Sequence, residues 1–227
     1  MIITIDGPTA SGKSTLAQLV SEQLSFYYLN SGFLYRGLSY ILMQKKIHEN
    51  EVQNYSQDLL KEILDSNKFL YEYDPKSKVK IIFDNNDITK FLKTPEIDKY
   101  SSSISKLPIV RLLLLDFQRN LAKKNSLVAE GRDCGTVVFP NAHHKFFLTA
   151  SLEVRAQRWQ KDQMLKGNNF SLQEAMLTID QRDTRDTKRE ISPCIPAKEA
   201  IIIDNSFLNL QETLIEVLKN YGSNNFD

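Results

Sequence analysis

Two apolar periods alternate along the chain. Short, nearly unbroken apolar runs at Ile2 to Asp6, Ser126 to Glu130, Lys145 to Leu148 and Ala200 to Asp204 predict strands buried on both faces. Phe26 to Leu29 adds a shorter fifth candidate. Between these runs, apolar residues recur at helical spacing. The predicted helices are Lys13 to Leu24, Ser31 to Lys45, Pro108 to Lys124, Leu152 to Lys166, Ser171 to Lys188 and Leu208 to Tyr221. Ser206 and Asn209 offer start signals for the last helix, Gly222 closes it, and Gly222 to Asp227 reads as a frayed tail. Alternating strands and helices predict an α/β fold, a parallel sheet flanked by helices.

One region breaks the alternation. Phe69 to Asp74 and Val79 to Phe83 carry strand patterns joined by the polar turn Asp74-Pro75-Lys76-Ser77-Lys78, and Asp84 to Asp87 forms another turn. With its flanks, residues 58–94, this hairpin reads as a β-containing insert outside the parallel sheet. It is either a decoration at the sheet edge or a mobile lobe that closes over an acceptor.

Composition narrows the function more than the fold. A chain of 227 residues with 41% hydrophobic content can bury a full α/β core. The formal net charge of +1 provides no global field to recruit nucleic acid, so basic function must come from local clusters. No apolar run approaches the roughly 18 residues of a membrane span. Cys134 and Cys194 are too few and too far apart for a disulfide scaffold, and the histidines His48, His143 and His144 form no metal pattern. A reducing cytoplasm is the expected compartment.

The candidate chemistry begins where the first strand ends. Gly7-Pro8-Thr9-Ala10-Ser11-Gly12-Lys13-Ser14 is a complete G-x-x-x-x-G-K-[ST] loop, preceded by a strand and followed through Thr15 by a helix. Its glycines permit close backbone approach, and its N–H groups can wrap a phosphate at the helix's positive end. Lys13 supplies a cation for the β/γ-oxygens and Ser14 a hydroxyl for Mg²⁺. The loop predicts a bound nucleoside triphosphate.

Such a loop identifies a donor and leaves the reaction open. Glu130-Gly131-Arg132-Asp133-Cys134-Gly135-Thr136 follows a strand, so its charged groups fall at the carboxyl edge of the sheet, where open α/β sheets bind ligands. Glu130 is placed to anchor the water shell of Mg²⁺. Farther on, Arg182, Arg185, Asp186 and Arg189 share one face of a helix, and Arg155 and Arg158 begin another. A solvated, salt-bridged face is the plain alternative, but arginines dominating the run favour phosphate recognition. These helices read as a lid. Ser31 as a helix cap, Arg36 in the second turn and Arg111 after Ser101-Ser102-Ser103 complete a set that suggests two anionic ligands meeting, as in phosphoryl transfer between phosphates.

TIDGPTASGKST, LNSGFLYR, AEGRDCGTVVFP, the RDTRD helix and SPCIPAKEAIIID, in this order over nearly the whole chain, resemble bacterial cytidylate kinases. The resemblance implies an adenylate-kinase-like domain over 1–227, with a nucleotide-binding insert at 58–94 and a lid with its adjoining helix at 151–190. It implies Mg²⁺-dependent transfer from ATP to CMP and dCMP; beside it stand the expectations of a cytoplasmic monomer without nucleic-acid or membrane partners. Carried over by position, Gly7 to Thr15 hold the ATP phosphates; Ser31, Arg36 and Arg132 fall on the acceptor side. Ser102, Arg111 and Asp133 correspond to positions near cytosine, and Arg182 and Asp186 to positions on the pentose. Arg158 and Arg189 fall in the lid and the adjoining helix; with Lys13 and Arg132 they form the expected catalytic set. The metal site is Ser14 with Glu130, the latter through water. The loop phrase is shared with tRNA dimethylallyltransferases, whose signatures do not include EGRDCGTVVFP or RDTRD. A kinase for another acceptor, a prenyl transferase and a non-catalytic nucleotide switch remain as alternatives.

Overall fold

The computed structural model describes residues 1–55, 57–65, 67–76 and 78–223. In chain order the first half forms β1 (Ile2–Asp6), α1 (Lys13–Leu24), β2 (Tyr27–Asn30), α2 (Ser31–Gln44), α3 (Gln57–Ile63), β3 (Phe69–Asp74), β4 (Lys78–Phe83) and β5 (Asn86–Asp87). Then follow α4 (Pro95–Ile104), α5 (Pro108–Ala122), β6 (Leu127–Gly131), β7 (His144–Thr149), α6 (Leu152–Met164), α7 (Leu172–Lys188), β8 (Ile201–Asp204) and α8 (Leu210–Ser223). They divide into two compact units: Met1–Phe26 with the chain from Ser126 onward, and Tyr27–Asn125.

The first unit is built on parallel strands in the order β6-β1-β7-β8. Ile3 pairs in register with Val128 on one side and His144 on the other. Sandwiched strands of this kind need apolar residues on both faces, and Ile3, Ile5, Val128, Ala129, Phe146 and Leu148 are buried. Helix α1 covers β6 and β1 with Leu16, Ala17 and Val20, and α8 packs against α1. Sequence order and space thus agree with the alternating pattern, and the strand ends Asp6 and Gly131 fall on the same edge. None of the helices in the described residues is long and apolar enough to cross a membrane.

Between β6 and β7, residues Cys134–Val138 make one wide π turn, in which Val138 N–H reaches the Asp133 carbonyl at 3.1 Å. Helices α6 and α7 form a hairpin sealed by Ala156, Ala175 and Ile179, with Trp159 and Met176 packed alongside. Each helix is capped by a serine. Ser151 accepts from Val154 N–H, and Ser171 forms a reciprocal box with Glu174. Asn209 caps α8 through Gln211 and Glu212 N–H. This helix runs through Gly222 to Ser223 instead of stopping at the glycine; the rest of the expected tail, residues 224–227, lies outside the described residues.

The second unit contains the antiparallel sheet β3-β4-β5. Asp84 and Asn85 both take positive φ, the geometry of a tight two-residue hairpin turn, and Phe83 then faces Asn86. The turn expected at Asp74–Lys78 includes Ser77, which with Ser66 lies outside the described residues. Helix α2 crosses close over this sheet at Gly37, where a Cβ would sit 3.0 Å from both Phe69 and Ile81. Phe69 in turn meets the edge of Phe117 from α5. Residues 58–94 therefore belong to a larger compact body that includes α2, α4 and α5.

Candidate active site

In the first unit, the phosphate loop joins β1 to α1. Gly7 passes so near β7 that a Cβ would lie 2.1 Å from the Leu148 carbonyl oxygen. Gly12, at φ 88°, turns the chain into α1 through a left-handed conformation that favours glycine. The first α-helical amides consequently open toward the loop. Inside it, the Ser11 hydroxyl is fully buried and has no hydrogen-bond partner among the described residues, a donor available to an oxyanion. Lys13 is buried and its ammonium donates to the Pro8 carbonyl at 2.9 Å. Burial pushes this amine down to about 8, the Arg132 guanidinium adds to the fall, and Glu130 opposes it.

Ser14, in the first turn of α1, donates its hydroxyl to Glu130 near the end of β6 at 2.8 Å. A hydroxyl and a carboxylate are hard oxygen donors, the chemistry Mg²⁺ selects. Among the described residues no group of three or more His, Cys, Asp or Glu could hold a metal. The pair therefore fits an ion that takes its other ligands from phosphate and water. Thr15 lies exposed on the first turn of α1.

Beyond Glu130 the chain turns through Arg132 and Asp133. Asp6, at the end of β1, anchors this turn by accepting the Cys134 and Gly135 amides at 2.9 and 2.7 Å. Burial pushes the Asp6 carboxyl up to about 6 against the pull of those two amides. Arg132 is brought to both the loop and α7. Its Nη2 donates to the Thr9 hydroxyl at 3.2 Å, and its Nε to Asp186 at 3.0 Å. Arg189 lies 3.9 Å from Asp186 and 4.0 Å from Asp133, and donates Nε–H to the Ser192 carbonyl. Burial would raise the Asp186 carboxyl, but Arg132, Arg189 and Arg182 outweigh it and hold it below the ordinary range.

The expected arginine stripe is altered. Arg189 is the residue after α7, in extended conformation, and reaches the cluster from the helix end. Arg185 is exposed, with Nε–H directed to the Gln181 carbonyl at 3.4 Å. The charged residues of α7 that are half-buried include Arg182, Asp183 and Asp186, so carboxylates interleave the guanidinium groups. Arg158 donates to the side chain and main chain of Asn205, each at 3.0 Å, and more distantly to the Ser11 carbonyl at 3.4 Å. Arg155 is buried against Asp183 and main-chain oxygens, so it presents no charge to a lid surface.

The second unit carries the other positions expected on the acceptor side. Asn30, not Ser31, caps α2, accepting Phe33 N–H at 3.1 Å; Ser31 is the buried first helical residue. Arg36 lies on α2 and grips Asp98 of α4 with Nε at 2.8 Å and Nη2 at 2.7 Å. Arg111, on the first turn of α5, is buried, donates to the Ser105 carbonyl at 3.0 Å and lies 5.8 Å from the Tyr35 ring centroid. Ser102 sits on α4 and its carbonyl accepts the Ser105 hydroxyl. Sequence reasoning assigned no role to Asp6, Asp98, Asp183 or Asn205. A carboxylate ending β1 and an asparagine just past β8 were visible signals, because both fall at the carboxyl edge of parallel strands.

Comparison with known proteins extends these observations along the whole chain. The family model described as Cytidylate kinase matches residues 3–223. A cytidylate kinase of Carboxydothermus hydrogenoformans is 36% identical over 225 residues, 99% of both chains. One from Coxiella burnetii is 38% identical over 219 residues, 96% of this chain and 90% of that protein. A solved structure of an uncharacterized protein from Eubacterium ventriosum superposes with TM-score 0.52 at 12% identity, covering 98% of this chain and 99% of that one, a likeness of fold. With the match running from the strand before the phosphate loop into the last helix, the chain belongs to the cytidylate kinase family.

Proposed function

We propose that this protein transfers the γ-phosphoryl group of ATP to the phosphate of CMP or dCMP, with Mg²⁺, giving the diphosphates. One observation carries the reading: Arg132, an acceptor-side position by family likeness, donates to Thr9 within the donor loop at 3.2 Å. A cation at that junction is suited to charge shared between donor and acceptor phosphates.

In this reading the loop from Gly7 to Thr15 binds the ATP phosphates through main-chain N–H groups, the Ser11 hydroxyl and Lys13. Ser14 and Glu130 would hold Mg²⁺, which when bound neutralises charge on the phosphates. Ser31, Arg36 and Arg132 take the CMP phosphate, Arg182 and Asp186 the pentose, and Ser102, Arg111 and Asp133 the base. Residues 58–94 form the acceptor-side insert, and 151–190 the lid with its adjoining helix. Arg158 and Arg189 complete the positive surround. The attacking oxygen is already anionic, so no general base is needed. Residues closing over the site exclude water, the competing acceptor. Buried, free Cys134 and Cys194 accord with a reducing cytoplasm.

The test is ADP formation by the purified protein with CMP, dCMP, UMP, AMP or no acceptor. The proposal expects rapid ADP release with CMP and dCMP and almost none without acceptor. Release that ignores the acceptor, or is fastest with AMP, would overturn it.

A further inference from the structure

The phosphate loop is gripped from outside at three consecutive residues. Thr9 N–H donates to Asp183 Oδ1 at 2.9 Å, while the Thr9 carbonyl accepts from Arg155 Nη1 at 3.1 Å. The same Nη1 pairs with Asp183 Oδ2, and Arg155 Nε donates to the Ala150 carbonyl at 3.0 Å. Ala10 follows at φ 58°, a conformation that an L residue other than glycine holds only when its surroundings enforce it. Its methyl packs against the Ala156, Ala175 and Ile179 cluster of the α6–α7 hairpin. At Ser11 the carbonyl accepts from Asn205 Nδ2 at 3.0 Å.

We infer that Asp183 and Arg155 are positioning residues that set the conformation of the phosphate loop by fixing both backbone polar groups of Thr9. A loop that binds phosphate through main-chain N–H groups can do so only if its peptide planes are already oriented. Thr9 cannot orient itself, because its own side chain is occupied by Arg132. Asp183 and Arg155 come from α7 and α6, hydrogen-bond to each other, and bracket one peptide unit on each side. Arg155 is buried and Asp183 half-buried, and both spend their hydrogen bonds on each other and on Thr9, so the pair acts through the loop. Arg155 thus separates from Arg158, although the two share a helix face in sequence.

This inference rests on the nucleotide-binding reading of the loop, and the experiment separates the two. ADP and CMP affinities are measured by calorimetry for the parent, Asp183→Asn and Arg155→Lys, with circular dichroism and thermal melting on each. Asparagine can still accept from Thr9 but turns an amide toward Arg155. Lysine keeps the ion pair, but its single nitrogen replaces the separately placed Nε and Nη1 donors that reach the Ala150 and Thr9 carbonyls. The expected result is folded variants whose ADP affinity falls by about tenfold or more while CMP affinity stays within about twofold, each lost hydrogen bond to a charged group being of that order. A role confined to holding the fold predicts lower melting temperatures with ADP affinity unchanged, and that result would overturn the inference. Equal weakening for ADP and CMP would overturn it too. A parent that binds no ADP would remove the nucleotide reading and this inference with it. If neither variant folds, hydrogen exchange of the parent decides: the Thr9 amide should be protected before nucleotide is added, and fast exchange there contradicts the proposal.

Discussion

The phosphate loop and the arginines proposed for the acceptor side offer two ways to hold an anion, from opposite materials. The loop uses main-chain dipoles, a buried hydroxyl and one lysine whose charge burial has already weakened. Its shape comes from glycine geometry and from neighbours that fix Thr9, Ala10 and Ser11. The arginines are each held by a carboxylate or carbonyl: Arg36 by Asp98, Arg132 and Arg189 by Asp186, Arg111 by Ser105. A backbone site is therefore specific through rigidity. An arginine site is specific through exchange, because a substrate phosphate must compete with the resident partner. The two should fail differently when damaged.

The largest expected effect is on the loop. Lys13→Ala should lower kcat/KM by about a thousandfold or more, since a point charge on transferring phosphate in a dry site is worth several kcal/mol. Circular dichroism should show an intact fold because the loop's glycines and backbone bonds remain. Near-normal kcat in the folded variant would remove Lys13 from the mechanism.

On the acceptor side the losses should be smaller and selective. Asp133→Ala should cut CMP use more than UMP use, narrowing the gap by about tenfold to a hundredfold, the effect of leaving buried polar groups unpaired. The cytosine amino group can donate to a carboxylate, whereas O4 of uracil cannot. Asp133 also faces Arg189 at 4.0 Å, which supplies the rival outcome: an unchanged CMP/UMP ratio with equal losses would mean that it serves only to hold that arginine. Next in size, Arg182→Ala and Asp186→Asn should raise KM for CMP by about tenfold while ATP affinity changes little. The asparagine variant spares Arg132 a complete loss of its partner and should shift the CMP to dCMP ratio if Asp186 meets ribose. Effects confined to ATP would reassign α7 to the donor.

The smallest effect is titration. Lys13 has a free-protein value of about 8, so the cation is present below pH 8 and is lost above it. Because kcat/KM reports free enzyme, its value for ATP should decline above pH 8; kcat should fall less, since bound polyphosphate favours the charged amine. A kcat/KM profile flat to pH 9.5 would contradict the assignment.

How much of this was legible depended on whether the chemistry is contiguous. The loop, its flanking strand and helix, and the order of α/β elements follow from local spacing, with boundaries shifted by a residue or two. Helix α4 did not emerge, although Thr94 caps it and Pro95 opens it, because Ser101-Ser102-Ser103 reads as linker. Burial of Ile97, Tyr100, Ser101 and Ile104 along one face outweighs those weak helix formers. The α2 cap was misplaced by one residue because asparagine and serine are both good caps. The arginines were visible as a set, but not as individuals. Nothing local distinguishes Arg155, sealed against Asp183, from Arg158, three residues on and reaching Asn205. Those partners are distant in sequence, and only the folded unit assembles them.

Transfer of label from γ-³²P-ATP in the presence of CMP tests the central claim most directly. The account predicts that label appears in the terminal phosphate of CDP, one per CMP consumed, with little free phosphate. Label released as inorganic phosphate, or CMP left unchanged while ATP is consumed, would contradict it.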